Sequence, residues 1–296
     1  MLVGVETGGT TIRVARADRP DRPFHVLTLP TRAPEETLDR LRQVLVDVAG
    51  GQRVEAAGLA AFGPVDVDPQ SPTFGVVGAT PKAHWQGVDL RAVVADTLGV
   101  PVFLDTDVNA AALAEQRWGV GGGCTDLSYV TVGTGIGVGA VVEGRLLHGT
   151  SHPELGHLVV RRHPDDDFEG VCRFHGDCLE GLASGPALRR RWRRDPADLA
   201  ERLPRARSIE ACYLAQLVVT LEYALSPLVV ALGGGVAAMP GLLDAVVSAS
   251  ADLLGGARGD HPLATGRPFV HLSGLDGQAG LVGALTLAHD GLEARD

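Results

Sequence analysis

The chain has 296 residues, of which 45% are hydrophobic, enough for two domains with cores of ordinary size. Its net charge of −10 argues against a nucleic-acid partner, because such binding needs a cationic surface. Four cysteines do not resemble a disulfide framework, and no signal peptide precedes Val3. We therefore expect a cytoplasmic globular protein without a membrane segment.

A hairpin is predicted at the start of the chain. Apolar runs at residues 2–5 and 12–15 flank a turn rich in glycine and threonine at 6–11. Glycines allow backbone N–H groups to approach an anion closely, and threonine hydroxyls add donors. The turn is therefore a candidate phosphate-binding loop through Gly8, Gly9, Thr10 and Thr11, and an ordinary hairpin turn is the alternative.

Between residues 34 and 118 the pattern alternates between helix and strand. The predicted elements are a helix at 34–48, a strand at 56–62, a helix at 90–98, a strand at 100–104 and an alanine-rich helix at 110–118. The first helix has an apolar face formed by Leu38, Leu41, Leu45 and Val48. This alternation predicts an α/β fold.

Asp107 lies where the strand at 100–104 gives way to the helix at 110–118. Side chains at the carboxyl ends of strands often carry catalysis in α/β folds, so Asp107 is a candidate catalytic residue. A plain helix N-cap, worth about 1 kcal/mol, is the alternative.

Two further glycine runs follow apolar strands. A second hairpin has strands at 129–132 and 138–142 around Gly133, Thr134 and Gly135, so it repeats the first hairpin and suggests a duplicated architecture. The strand at 228–232 leads into a third run of glycines, where Gly234 and Gly235 could lie flat against a nucleotide. The alternative for each run is an ordinary turn.

A cluster of histidine and cysteine residues predicts a metal site. His157 is followed by Cys172, His175 and Cys178, and four nitrogen and sulfur ligands suit a tetrahedral zinc ion. A zinc ion with four protein ligands is usually structural, so we expect it to hold the nearby Glu154 and Glu180 in place. The alternative is two buried cysteines and two histidines on a polar loop.

Three other segments have simple interpretations. The apolar stretch at 217–236 is interrupted by Glu222 and Pro227, which predicts a helix and a buried strand instead of a membrane span. The arginine-rich run at 189–194 predicts a helix with a solvated basic face. The helical pattern at 278–289 is expected to return to the first domain, which makes the domain boundary discontinuous.

The chain resembles the ROK family of sugar kinases and repressors, within the hexokinase–actin superfamily, and most of all its bacterial fructokinase branch. The resemblance spans nearly the whole chain and rests on residues 6–10, 62–66, 79–83, 106–112, 133–137, 151–157, 161–166 and 175–185. It implies a two-domain actin/hexokinase-like fold, a duplicated ribonuclease H-like architecture with a cleft between the domains. The expected domains are residues 1–106 with 279–296, and residues 107–278 with the zinc-binding loop.

The same resemblance implies roles for individual residues. Asp107 would be the general base on a sugar hydroxyl, and Thr106, Glu154, His157 and Glu180 would contact the sugar. The two Gly/Thr turns would hold the phosphates of ATP, and Gly234 and Gly235 would face its adenosine. Zinc would be bound by His157, Cys172, His175 and Cys178. Mg²⁺ would bridge the phosphates, with Glu6 contacting it directly or through water.

We therefore expect an ATP-dependent hexose kinase, most specifically a fructokinase that acts as a homodimer. Glu6 and Thr106 favour the fructokinase branch over glucokinase, whereas Thr11 replaces a lysine that is common in the family. A mannokinase or another hexose kinase is one alternative. A non-catalytic sugar-binding or regulatory protein is another, although a repressor would carry a helix-turn-helix segment for which no room exists before Leu2.

Overall fold

The computed structural model describes residues 1–80, 82–192, 204–266 and 268–295. These residues form ten strands: β1 Leu2–Thr7, β2 Thr11–Ala17, β3 Phe24–Pro30, β4 Ala56–Ala61, β5 Val102–Thr106, β6 Leu127–Val132, β7 Ile136–Val142, β8 Arg145–Leu146, β9 Val229–Gly233 and β10 Val270–Leu272. The helices are α1 Pro34–Ala49, α2 Leu90–Leu98, α3 Asp107–Trp118, α4 Leu179–Ala183, α5 Gly185–Trp192, α6 Pro204–Leu225, α7 Leu242–Leu254, α8 Pro262–Thr265 and α9 Ala279–Glu293.

The chain divides into two compact units. Unit 1 contains Met1–Trp118, Leu146–Pro153 and Gln278–Asp296, and unit 2 contains Gly119–Arg145 and Glu154–Gly277. The expected boundary after Thr106 therefore differs from the structure by one helix and one short segment. Helix α3 belongs to unit 1 because it packs against α9, where the Trp118 indole N–H donates to Thr286 Oγ1 at 3.1 Å.

Unit 1 is built on a sheet with the strand order β3-β2-β1-β4-β5. Strands β1, β2 and β3 are antiparallel neighbours, whereas β1, β4 and β5 run parallel, so the carboxyl ends of these last three strands lie along one edge. Helix α9 packs closely on β4, because Gly58 has no side chain and a Cβ there would overlap the Ala284 carbonyl oxygen.

Local sequence signals explain the limits of the first two helices. Helix α1 has Pro34 in its first turn and ends at Gly50, whose φ of 56° is the left-handed conformation typical of a C-cap. Its buried residues are Thr37, Leu41, Val44, Leu45 and Val48, which confirms the predicted apolar face except for the half-buried Leu38. The Asp89 side chain caps α2 by accepting from the Ala92 N–H at 2.8 Å.

The second sheet repeats the architecture of the first. Its order is β10-β9-β6-β7-β8, with β6 antiparallel to β7, and with β6, β9 and β10 parallel. Strands β6, β7 and β9 thus correspond to β1, β2 and β4, which agrees with the duplicated α/β fold predicted from the two hairpins. The core of unit 2 forms where this sheet packs with α6 and α7 around residues such as Val130, Leu214 and Val246.

The arginine-rich run departs from its prediction. Arg189 and Arg190 on α5 are exposed, but the Arg191 side chain is 6% exposed and forms an ion pair with the buried Asp166. The solvated basic face was therefore wrong for Arg191, because Asp166 supplies a buried counter-charge. Arg193 and Arg194 of this run, like Pro81 of the 79–83 motif, lie outside the described residues. Among the described residues, no helix combines the length and apolar character needed to cross a membrane.

Candidate active site and metal site

The first Gly/Thr turn joins β1 to β2 at the edge where the parallel strands end. The Gly8 N–H donates to the Thr11 carbonyl at 2.8 Å, and the Thr31 N–H donates to the Thr10 carbonyl at 2.8 Å. The Thr31 hydroxyl also donates to the Gly8 carbonyl at 3.0 Å. Residues 9–11 are exposed, so the turn is fixed by its carbonyl groups and presents its tip to solvent.

Glu6 precedes this turn and is paired with a cation. Arg13 on β2 contacts Glu6 Oε2 through Nη2 at 2.5 Å and through Nε at 2.8 Å. Burial raises the pKa of Glu6, and the charge and hydrogen bond of Arg13 partly offset that rise. Gly280 on α9 makes room for the carboxylate, since a Cβ there would lie 2.5 Å from Glu6 Oε1. The predicted metal-contacting acid is therefore held by one oxygen.

Asp107 is the first residue of α3, directly after β5. The helix is capped by Thr106, whose hydroxyl accepts from the Asn109 N–H at 3.1 Å, the usual contact of an N-cap with the third helical residue. The N-cap alternative for Asp107 is therefore wrong. Asp107 is half-buried, and its Oδ1 accepts from the Val108 N–H at 2.9 Å, which fixes the orientation of the carboxylate.

A hydrogen-bond network joins three residues that flank Asp107 in the fold. Asp105 on β5 accepts from the Asn109 amide at 3.0 Å and lies 2.7 Å from His148 Nε2. The hydrogen bond with Asp105 raises the pKa of His148, and burial opposes the rise. The network ties the end of β5, the first turn of α3 and the segment at 146–153 together, so it holds the backbone on both sides of Asp107.

A cavity of about 870 Å³ opens beside His148 in unit 1. Its walls come from residues between Pro64 and Gly78 and from the segment between His148 and Ser151. Within this wall, the Asp66 carboxylate accepts from the hydroxyls of Ser71 at 2.5 Å and Thr73 at 2.6 Å, and the Ser71 bond is the larger cause of its lowered pKa. The cavity is large enough for a monosaccharide.

In unit 2 the second Gly/Thr turn is bound to Glu180. The Ile136 N–H donates to Glu180 Oε2 at 3.0 Å, and a Cβ on Gly135 would lie 2.5 Å from the same oxygen. The Gly185 N–H donates to the Gly133 carbonyl at 2.8 Å. A predicted phosphate loop and a predicted sugar-binding acid are therefore in direct contact, although nothing in the sequence indicated that they would meet.

The third glycine run lies beside this turn, because β6 and β9 are parallel neighbours with Thr131 opposite Gly233. Gly234 has a φ of 87°, and a Cβ there would overlap the Val132 carbonyl oxygen, so both its conformation and its surroundings require glycine. Gly235 has open space at its Cβ position. The two runs thus form one glycine-rich edge at the carboxyl ends of β6 and β9.

The four predicted metal ligands come together in unit 2. The ligand atoms of His157, Cys172, His175 and Cys178 all lie within 4.8 Å of one another. His157 Nδ1 lies 3.5 Å from Cys178 Sγ and 3.7 Å from Cys172 Sγ, and His175 Nδ1 lies 3.7 Å from Cys172 Sγ. A tetrahedral zinc ion with usual bond lengths separates a sulfur and a nitrogen ligand by about 3.6 Å. The donor set and its spacing therefore fit zinc.

The predicted metal ligands are close in the chain to the predicted sugar-binding acids. Glu154 precedes the short 3₁₀ helix Leu155–His157, and Cys178 directly precedes α4, which carries Glu180. The 3₁₀ helix packs against the start of β7, since a Cβ on Gly156 would overlap the Ile136 carbonyl oxygen. The Leu179 N–H donates to the Leu158 carbonyl at 2.9 Å, which links the two segments.

Comparison with known proteins decides the family. The sequence model of the ROK family matches residues 2–291. The chain belongs to the ROK family. A fructokinase from Zymomonas mobilis is 41% identical over 294 residues, which cover 96% of this chain and 95% of that protein. A ROK hexokinase from Thermus thermophilus has a TM-score of 0.78 at 31% identity, over 99% of both chains.

A ROK glucokinase from Streptomyces griseus, solved with glucose and AMPPNP, has a TM-score of 0.80 at 26% identity and covers 98% of this chain and 99% of that chain. These likenesses agree with the ROK resemblance and the two-domain kinase fold expected from the sequence. Within this ROK chain, Thr106 is 2% exposed and its hydroxyl caps α3, so its predicted contact with sugar stays a prediction.

Sequence reasoning missed three polar residues of unit 1 in this ROK protein: Asp105, His148 and Lys82. The Lys82 ammonium lies 3.3 Å from the Gly8 carbonyl oxygen and 3.1 Å from the centroid of the Phe62 ring. One signal could have identified it, because Lys82 is the only lysine of the chain. Asp105 and His148 gave no comparable signal, since each reads as an ordinary residue beside a turn.

Proposed function

We propose that this protein is an ATP-dependent fructokinase that transfers the γ-phosphoryl group of ATP to D-fructose. Membership of the ROK family and the full-length similarity to a fructokinase support a sugar kinase. The geometry of Asp107 carries the catalytic part of the proposal, because Thr106 takes over the capping of α3 and leaves an oriented carboxylate at the carboxyl end of β5. D-mannose or another hexose is the alternative acceptor.

In the proposed reaction Asp107 accepts the proton of the attacking hydroxyl. The hydroxyl oxygen forms a bond to the γ-phosphorus as the bond from that phosphorus to the bridging oxygen of ADP breaks, giving D-fructose 6-phosphate and ADP. Such a transfer has a loose transition state, so the protein mainly positions the reactants and neutralises charge. A carboxylate that acts as general base contributes roughly 10²–10⁴-fold in rate.

The remaining polar groups would bind and orient substrates. The exposed Glu154 and the half-buried His157 and Glu180 are the proposed partners of sugar hydroxyls. Once a bound sugar covers these groups, a sugar without the matching hydroxyl would leave one of them unpaired, which is costly. The glycine turns and Gly234–Gly235 are the proposed sites of ATP. Glu6 is the residue that would contact Mg²⁺ directly or through water, and the ion would supply positive charge to neutralise the phosphates of ATP.

We propose a structural zinc ion at His157, Cys172, His175 and Cys178. Four protein ligands fill a tetrahedral ion, so no position is left for a substrate. With Nδ1 of His157 facing the two sulfur atoms, Nε2 is the atom that would contact sugar. The ion would hold His157 directly, and it would hold Glu154 and Glu180 through the nearby ligands His157 and Cys178. The expected homodimer stays a prediction that light scattering can measure.

The proposal is tested by ADP release from MgATP with D-fructose, D-mannose, D-glucose and N-acetylmannosamine in parallel. We expect D-fructose to give the highest kcat/KM. Absence of turnover with every sugar, together with sugar binding by calorimetry, would instead identify a non-catalytic sugar-binding protein.

Asp107→Asn tests the proposed base. The variant should fold and bind D-fructose, but its kcat should fall by roughly 10²–10⁴-fold because the proton acceptor is lost. Asp39→Asn, in an exposed ion pair on α1, is the matched control and should keep its activity. An Asp107→Asn variant that retained more than about a tenth of the wild-type rate would remove Asp107 as the base.

A further inference from the structure

Lys82 is the only lysine in the chain, and the other 25 of its 26 basic side chains are arginines. The lysine ammonium and the arginine guanidinium are not interchangeable. Arginine is planar, weakly hydrated and always charged, whereas lysine is a compact ammonium whose pKa shifts readily on burial. A single lysine in a chain that otherwise uses arginine points to a position where a compact or tunable cation is needed.

Rigid neighbours hold the Lys82 side chain against the first Gly/Thr turn. The ammonium lies over the Phe62 ring, a favourable cation–π contact, and 3.3 Å from the Gly8 carbonyl oxygen. Phe62 is buried and packs edge-on against Trp85, with ring centroids 5.2 Å apart. The Trp85 indole N–H donates to the Arg32 carbonyl at 2.9 Å, so this aromatic support is itself anchored.

The groups around Lys82 compensate its positive charge only in part. Burial lowers the pKa of Lys82 to about 8, and the negative charge of Asp107 partly opposes this. The titratable groups on the strands of the flanking hairpin are Glu6, Arg13 and Arg16. Glu6 and Arg13 pair with each other, and Arg16 donates to the Val48 carbonyl at 3.2 Å. A backbone carbonyl, an aromatic ring and one carboxylate do not replace the hydration of an ammonium, so a phosphate at this position would stabilise its charged form.

We propose that the Lys82 ammonium binds the transferred phosphoryl group of the nucleotide beside the Gly8–Thr11 turn and stabilises its charge during transfer. This assignment rests on the proposed kinase function. Lys82 contacts the turn expected to hold phosphate, and it lies within the electrostatic reach of the carboxylate expected to accept the hydroxyl proton. Lys82 stays protonated throughout, and the only proton transferred moves from the sugar hydroxyl to Asp107.

A single lysine allows a direct labelling experiment on the wild-type protein. Acetylation by acetic anhydride is followed by peptide mass mapping, which separates Lys82 from the N-terminal amine. We expect half-maximal reactivity of Lys82 near pH 8 and not near the ordinary lysine pKa of about 10.4. At ten times its Kd, the β,γ-imido analogue of ATP with Mg²⁺ should slow labelling about tenfold, since only the unoccupied protein reacts.

The ligand dependence of labelling decides which group Lys82 contacts. MgADP at the same multiple of its Kd should protect less than the imido analogue, because it lacks the γ-phosphate, and D-fructose alone should not protect. Protection by D-fructose alone, or equal protection by MgADP and the analogue, would overturn the assignment. So would the absence of any protection by nucleotide.

Kinetics of two substitutions test the charge requirement. Lys82→Met should lower kcat by roughly 10²–10³-fold, as loss of one transition-state donor does, with the KM for D-fructose nearly unchanged. In the wild type, kcat/KM for MgATP should fall as pH rises through about 8, because this constant reports the nucleotide-free enzyme, in which the ammonium loses its proton. Lys82→Arg should recover part of kcat and keep it at higher pH, since the guanidinium stays charged.

Arg22→Met is the control, because its side chain is 77% exposed in the same unit, and it should leave the kinetics unchanged. A purely structural Lys82 would raise both KM values in Lys82→Met and leave the alkaline limb in place in Lys82→Arg, which would overturn the proposal. Failure of the wild type to phosphorylate any sugar would contradict the kinase function itself, whereas the labelling result would still decide whether Lys82 contacts nucleotide phosphate.

Discussion

Asp166→Asn is expected to destabilise unit 2 strongly, because it breaks a buried ion pair. The Asp166 carboxylate accepts from Arg191 Nε at 3.1 Å and Nη2 at 2.9 Å, and from the Tyr213 hydroxyl at 2.6 Å. The two charged side chains are 2% and 6% exposed. Asparagine keeps the shape of the side chain but leaves the Arg191 guanidinium buried without its nearest counter-charge.

Loss of one partner of a buried pair costs about 3–5 kcal/mol of unfolding free energy. For a unit of this size, 1 kcal/mol lowers Tm by roughly 2–4 °C, so we expect a decrease on the order of 10 °C. Tyr213→Phe should cost less, about 1.5–3 kcal/mol, because it removes one hydrogen bond to a charged acceptor and keeps the ion pair. Asp39→Asn, in a pair whose side chains are 49% and 69% exposed, should cost less than about 1 kcal/mol.

The effect should depend on pH in a defined direction. Burial by itself would raise the pKa of Asp166, but the Tyr213 hydrogen bond and the Arg191 charge outweigh it and lower the pKa overall. A carboxyl whose pKa is lower in the folded state stabilises the fold above its unfolded pKa of about 3.9, and this stability is lost as pH falls through the folded pKa. The difference between wild type and Asp166→Asn should therefore be largest near neutral pH and shrink below about pH 4.

Urea unfolding followed by far-UV circular dichroism, repeated between pH 7 and pH 3, measures these differences. The reasoning would be refuted if Asp166→Asn cost no more than Asp39→Asn. It would also be refuted if the loss in Asp166→Asn were the same at every pH.

Two further predictions concern the metal site and the packing of unit 1. Cys172→Ala should reduce the bound zinc measured by atomic absorption. It should also raise the KM for D-fructose more than the KM for ATP, because His157 and the segment carrying Glu180 lose the ion that would hold both. Unchanged zinc content would contradict the ligand assignment. Gly58→Ala should lower the unfolding free energy by about 1–3 kcal/mol or more, since its Cβ would overlap the α9 backbone at Ala284. Gly259→Ala is the control, because nothing lies within 4 Å of a Cβ at that position, and it should be nearly neutral in chemical denaturation. Equal effects of the two substitutions would contradict the packing argument.

The sequence predicted features that depend on local patterns. Both hairpins, helix α1 and the run from β5 to α3 are specified by apolar periodicity and by glycine or proline at their ends, so these elements were recognisable. The predicted bounds were less accurate between β5 and α3, because β5 ends two residues later and α3 begins three residues earlier than predicted. That the four residues of the His/Cys cluster come together was also predictable, because three of them lie within seven residues. The roles of Thr106 and Asp107 were not separable, since the N-cap depends on which residue starts the helix.

Contacts between distant segments were beyond local reasoning. Lys82 lies 74 positions from Gly8, and His148 lies 43 positions from Asp105. Arg191 looked solvated because its arginine neighbours are charged, yet Asp166, 25 positions earlier, supplies a buried partner. In each case one side chain meets another only after sheets and helices have packed, so no repeat or spacing in the sequence records the contact.

The two Gly/Thr turns show how a duplicated backbone supports different chemistry. Both turns join an antiparallel pair of strands at an edge where parallel strands end, so the fold contains the same hairpin turn twice. Their partners differ. In unit 1 the Lys82 ammonium donates to the Gly8 carbonyl, which places a positive charge beside the turn. In unit 2 the turn donates the Ile136 N–H to the Glu180 carboxylate, which links the turn to a proposed sugar-binding acid.

That difference follows from what surrounds each hairpin and not from the hairpins themselves. The first turn meets the loop after β4, where the chain places its single lysine on an aromatic support. The second turn contacts the segment between Cys178 and Gly185, which begins at a member of the His/Cys cluster. The shared hairpin accounts for a glycine-rich turn in each unit, and these neighbouring segments determine which charge lies beside it, the Lys82 ammonium or the Glu180 carboxylate.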